Sequence, residues 1–281
     1  LVVDQDNFPL NPRTDYDNAG TMVCWHTRYN LGDEHNYKEP DDFLKSLLFS
    51  ESCVESKVSQ QIYDFFKSGV SKFAKMEYNQ SVQEWELFEK YSFGSFEEWN
   101  KTSNCSEPLS DWFLNDCICA LPSNELTKFL RKIKGMVILP LYLLDHSGLS
   151  ISTSDFCNKW DSGQVGWIYM TSKDVIREFG EINDYTIVKA KHLLESEVEL
   201  YDYYLRGEVY GYQLYDLNEE DEIDSCWGFV GEIDEVKDDI KDHLKTSSEE
   251  EQQKLIDGLK YENKLQYVSH INYDYYRNME D

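Results

Sequence analysis

The sequence predicts an α+β protein: a mixed or antiparallel central sheet, a helical insertion ahead of it, and helices at the C-terminal end. Three observations carry that expectation. From Asp41 onward apolar residues recur at three- and four-residue steps, Phe43, Leu47 and Leu48, then Val58, Ile62, Phe65, Phe66, Val70 and Phe73, which is the period of a helix face. Two apolar runs of strand length follow later, Val137 to Leu144 and Val165 to Met170. Residues 208–216 then alternate as a half-buried strand does.

Along the chain, the first forty residues read as loop, short strand and loop, the strand being Thr21-Met22-Val23-Cys24-Trp25. Helices occupy the next stretch, the second ending near Asn79. Residues 82–99 interleave Trp85, Leu87, Phe88, Tyr91, Phe93, Phe96 and Trp99 with glutamates, and Gly94 interrupts any single helix. Core packing is the expectation for most of these aromatics, an exposed aromatic and acidic ribbon the alternative. A loop with the glycosylation-like triplets at Asn100 and Asn104 leads to a helix near residues 123–133, capped by Ser123 or Asn124. Short and long helices are expected at 174–179 and 187–205, the latter with Val188, Leu193, Leu194, Val198, Leu200 and Leu205 inward. A hairpin pairs 208–216 with 225–230 through a tip of consecutive acids, and the tail beyond Ser247 reads as one helix with a Tyr-rich extension. A boundary near residue 135 divides an N-terminal loop, strand and helical region (1–135) from an α+β region (136–281), a single domain being the alternative.

Composition bounds the function. Of 281 residues, 41% are hydrophobic and 15% aromatic, enough for a core, yet 54 acidic residues face 27 basic ones, for a net charge of −27. Such a field repels phosphate backbones and raises encounter rates with basic surfaces, so nucleic-acid binding through a basic groove is disfavoured and a basic partner is expected. The field is densest between Glu195 and Asp242. No apolar run reaches the roughly 18 residues of a membrane span, and no signal peptide is visible from Leu1 onward, so a soluble cytoplasmic protein is expected. Seven scattered cysteines suit reduced thiols, and Cys117-Ile118-Cys119 lacks the two-residue gap of a zinc knuckle, so no metal or cofactor is expected.

Three clusters offer chemistry. Cys24, His26, Arg28, Asp33 and His35 supply a nucleophile, a base and metal ligands within a dozen residues, although catalytic Cys/His partners are usually distant in sequence. Asp145-His146-Ser147-Gly148, with Trp160-Asp161-Ser162, stands at the end of a buried strand but lacks a nucleophile elbow, and these are also turn residues. The acid-rich stretch 208–242 lacks calcium-loop spacing. It reads better as a partner surface, with Tyr201, Tyr203, Tyr204, Glu219, Glu220, Asp221 and Glu222 as contact residues, because interface hot spots favour aromatics and charge complementarity sets partner choice.

Residues 17–33 (Asp-Asn-Ala-Gly-Thr-Met-Val-Cys-Trp-His-Thr-Arg-Tyr-Asn-Leu-Gly-Asp), residues 139–169 and residues 224–229 (Asp-Ser-Cys-Trp-Gly-Phe) resemble a largely uncharacterised family of acidic proteins carried by bacterial phages and plasmids. In size and context the chain also resembles the phage proteins that counter the Gabija nuclease complex. The resemblance implies a non-enzymatic inhibitor that forms a homo-oligomer, encloses a host immune complex and blocks DNA access through the basic surface of a nuclease or DNA sensor. It carries over no catalytic residue. The alternative is an enzyme that modifies or hydrolyses a small molecule with His26, Asp145, His146 or Asp161.

Overall fold

The computed structural model describes residues 1–54, 56–107, 110–158, 160–215 and 222–245. In chain order these form β1 (Val2–Gln5), β2 (Thr21–Cys24), α1 (Pro40–Val54), α2 (Ser56–Lys67), β3 (Ala74–Asn79), β4 (Glu84–Phe93), β5 (Phe96–Cys105), α3 (Asp111–Cys119) and α4 (Ser123–Leu130). Then come β6 (Val137–Asp145), β7 (Leu149–Ser152), β8 (Ser162–Met170), α5 (Ser172–Phe179), α6 (Asp184–Arg206), β9 (Val209–Tyr215), β10 (Glu222–Val230) and α7 (Ile233–Lys245). The architecture is mixed α+β, with three antiparallel sheets ordered β1-β9-β10, β2-β8-β6-β7 and β3-β4-β5.

The chain divides into two compact units that interleave in sequence. One comprises Leu1–Asn18, Leu141–Gln164 and the chain from Glu195 onward; the other comprises Ala19–Pro140 and Val165–Leu194. Strands β6 and β8 each contribute residues to both units.

In the second unit, α1 opens with Asp41 and Asp42, where carboxylates favour the positive end of the helix dipole. Its Phe43, Leu44, Leu47 and Leu48 join Ile62 and Phe66 of α2 in one buried cluster. Helix α2 stops at Lys67, short of the expected end near Asn79, and residues 74–79 are a strand instead. Val70 and Phe73, which fit the helical period by spacing alone, are accordingly exposed. The glycosylation-like triplets at Asn100 and Asn104 start on β5, not on a loop. Helix α3 lies where a loop is expected, and its Phe113, Leu114, Cys117 and Ile118 are all buried. The N-cap of α4 is Pro122, with no side-chain cap; the Ser123 hydroxyl donates to Asp41 instead. Strand β2 lies beside β8 with Cys24 opposite Gly166, where an added Cβ would stand 2.0 Å from the Val23 carbonyl oxygen. Only glycine allows that approach.

Helix α5 starts with a capping box: Thr171 Oγ1 accepts from the Asp174 amide and Asp174 Oδ2 accepts from the Thr171 amide at 2.9 Å. Along α6, Ala190, Leu194, Val198 and Tyr201 are buried at helical steps, whereas Val188, expected inward, is exposed. The helix ends in a Schellman pattern at Gly207, φ 72°, with the Glu208 amide donating to the Tyr203 carbonyl at 2.8 Å.

In the first unit, β1 pairs with β9, Val2 opposite Gln213, so residues expected to be loop form an edge strand. Sheet β1-β9-β10 is covered by α7, whose Val236, Ile240 and Leu244 join Tyr212 in a second buried cluster. Arg13 ties the N-terminal segment to α6: its Nη1 lies 2.9 Å from Glu197 Oε2 and 2.9 Å from Asn18 Oδ1, with the two charged side chains only 1% and 10% exposed. Removing one partner of such a pair leaves a buried charge uncompensated. Arg13→Met is expected to lower unfolding free energy by about 3 kcal/mol in urea titration, and Arg13→Met/Glu197→Leu to recover most of that loss.

Candidate partner-binding surface

The expected contact residues sit at the C-terminal end of α6 and on the β9–β10 hairpin. Tyr201 is 2% exposed, so its ring is a core group unavailable to a partner, and Tyr204 stacks on it with centroids 6.0 Å apart. Tyr203 is half-buried, with the Arg206 guanidinium 5.6 Å from its ring centroid. Glu219, Glu220 and Asp221 lie outside the described residues. Glu222 opens β10 exposed and accepts from Gln213 Nε2 at 3.1 Å and Ser225 Oγ at 2.8 Å.

Around Arg206 the acids hold the protein together. The guanidinium reaches Asp202 at 3.5 Å, Glu208 at 2.7 Å and Glu232 at 3.0 Å. Asp202 Oδ1 also accepts from the Ser150 hydroxyl and the Ile151 amide, each at 2.7 Å, which fixes β7 to α6. Burial pushes the Glu208 carboxyl up, and Arg206 only partly opposes it. The Tyr203 hydroxyl is likewise raised, by burial first and then by Glu199, Glu235 and Glu232. One arginine among this many carboxylates leaves a net negative locality.

The candidate catalytic clusters lie at strand ends and in the turns that follow them. Residues 24–36 wrap a cleft of about 790 Å³. Within that segment Asp33 Oδ2 accepts from the Met22 amide at 2.8 Å, His35 Nε2 donates to the Cys24 carbonyl at 2.8 Å, and His26 stacks on Tyr29. Cys24 is buried at the end of β2. His146 Nδ1 does approach Asp161 Oδ2, at 3.1 Å on an exposed surface, but Ser147 is the φ 56° corner of the β6–β7 turn, closed by the His146 amide on the Gly148 carbonyl. Turn geometry accounts for these residue types. Cys117 is buried, and burial pushes its thiol well above the ordinary range. Among the described residues no three His, Cys, Asp or Glu side chains are grouped to hold a metal, and no helix is long and apolar enough to cross a membrane.

Large aromatic side chains are exposed in both units. Phe8 and Trp160 are 83% and 94% exposed in the first unit. In the second unit Tyr91, Phe93, Phe96 and Trp99 are exposed on β4 and β5, so the ribbon alternative replaces core packing for these four, whereas Leu87 is core. The signal was present in the Phe93-Gly94-Ser95-Phe96 turn between two runs of alternating residues. It was outweighed by the commoner fate of aromatic side chains.

Compared with protein-family models, curated proteins and solved structures, the chain gives no match.

Beneath the acidic hairpin the Tyr212 hydroxyl donates to Asp224 Oδ2 at 2.7 Å, and burial, followed by that carboxylate, pushes its pKa up. The folded state thus holds this proton more tightly than the unfolded chain. The resulting stability is complete below the unfolded tyrosine value of about 10 and is lost as pH climbs through the folded value. Tyr212→Phe is expected to cost about 1 kcal/mol at neutral pH and to flatten the fall in melting temperature on the alkaline side of that value.

Proposed function

We propose that this chain is a non-enzymatic anti-defence protein that occupies the basic, DNA-binding surface of a bacterial immune nuclease or DNA sensor, the Gabija complex being the first to test. The observation that carries this reading is how the surface uses its cations. Lys75, Lys90, Lys101, Lys237 and Lys241 each stand within 3.2 Å of a carboxylate of the same chain. These five lysines are balanced by carboxylates of their own chain, and across the whole sequence 54 acidic residues stand against 27 basic ones. Exposed aromatics among those carboxylates supply the apolar contact that charge alone lacks.

Electrostatic complementarity acts mainly on encounter rate and partner choice and weakens with salt. Purified chain is expected to displace duplex DNA from the nuclease complex at low salt, less so as salt rises. Reversing Glu219, Glu220, Asp221 and Glu222 to lysine should slow association by about tenfold or more; an unchanged rate overturns the electrostatic basis. His26→Ala and His146→Ala are expected to leave phage protection unchanged in a plaque assay, whereas an enzyme dependent on either would lose it.

A further inference from the structure

Strands β4 and β5 are longer than the strand beside them. Strand β3 begins at Ala74, whose partner is Glu89, and the last tie on that side is the Lys90 amide on the Phe73 carbonyl at 2.8 Å. The hairpin runs on alone through Tyr91↔Glu98, Ser92↔Glu97 and Phe93↔Phe96, turning at Gly94, φ 63°, as a two-residue hairpin turn with glycine first requires.

Alternation along β4 gives the two faces of this overhang different character. Leu87 is buried on the inner face and Met76 opposite it is buried too; Glu89, opposite the buried Ala74, marks the end of the core on that face, and Tyr91 and Phe93 continue it beyond. There Tyr91 is 53%, Phe96 62% and Phe93 89% exposed. The outer face is covered from within: Lys75 and Lys90 lie 4.9 and 6.0 Å from the Trp99 ring centroid, and Lys90 pairs with Glu97 at 2.6 Å. The inner face thus presents an apolar tip followed by Glu98 and Glu89, and Lys90, the cation of the overhang, is held on the other side.

We propose that this overhang is the protein's anchor, its Phe93, Phe96 and Tyr91 entering an apolar pocket rimmed by lysine or arginine on a partner protein. The inference rests on the functional reading above and assigns the contact to residues of a different unit from Glu222. Charge selects the occupant. A second copy would bring Glu89 and Glu98 against their like in a chain of net charge −27, and nucleic acid would bring phosphate. A cationic protein surface meets both the carboxylates and the rings.

Binding of the full chain to a short peptide alternating Lys and Leu is measured by calorimetry, with Lys/Ser and Glu/Leu peptides as controls. Phe93→Ser/Phe96→Ser should weaken the Lys/Leu peptide by at least about tenfold, and Glu89→Lys/Glu98→Lys, which keeps the rings, should exchange preference for Lys/Leu toward Glu/Leu. Equal binding of Lys/Leu by wild type and the serine variant overturns the proposal. So does a concentration-dependent dimer in light scattering, or binding to phosphatidylserine vesicles, that the serine substitutions abolish, since the occupant is then a second copy or a membrane. If the peptide behaves as expected but the chain leaves the nuclease complex active, the functional reading fails and the anchor stands. If the serine variant inhibits that complex as well as wild type, the anchor fails and the functional reading stands.

Discussion

In a chain with 54 acidic and 27 basic residues, a carboxylate drawn out of water needs a cation beside it. Arg13 is buried against Glu197, and Arg206 is shared among Asp202, Glu208 and Glu232. Arg13 thereby joins the N-terminal loop to α6, and Arg206 joins the end of α6 to the turn before α7. Buried neutralisation is centred on Arg13, whereas the lysine pairs lie at the surface, where screening makes the repulsion of neighbouring acids tolerable.

This arrangement separates two uses of acidity that look identical in sequence. Asp202 is saturated by Ser150, Ile151 and Arg206, so it positions β7; Glu222, a short way along the same acidic stretch, is exposed on a strand end. Aromatics divide the same way. Tyr201 and Tyr212 are core, while Phe93 and Trp160, no less hydrophobic, stand in solvent. An exposed ring beside a carboxylate lacking a local cation is a combination suited to a basic partner, and the β4–β5 overhang supplies it.

Helices α1, α5 and α6 and strands β6, β8 and β9 were legible because their apolar residues recur at helical steps or crowd into strand-length runs, although in α6 the buried stripe is Ala190, Leu194, Val198 and Tyr201 and leaves Val188 exposed. Strand β1 was not, since Val2-Val3-Asp4-Gln5 becomes a strand only beside β9, some two hundred residues away. Helix α2 was extended too far because Val70 and Phe73 continue its spacing after the backbone has left it. Of the candidate contact residues, Tyr201 was misplaced for a related reason: Tyr201, Tyr203 and Tyr204 span less than one helical turn, and local sequence does not say which of them the core will claim.

By itself the sequence determined the charge, the mixed α+β class and most helix and strand identities, because these depend on composition and on periodicity within a few residues. Tertiary structure decided which acids are bound to arginine, how the chain interleaves between its two units, and that β4 and β5 outrun β3. Those outcomes depend on partners brought together from far along the chain, and a hairpin's exposed end is defined by the length of the neighbour beside it.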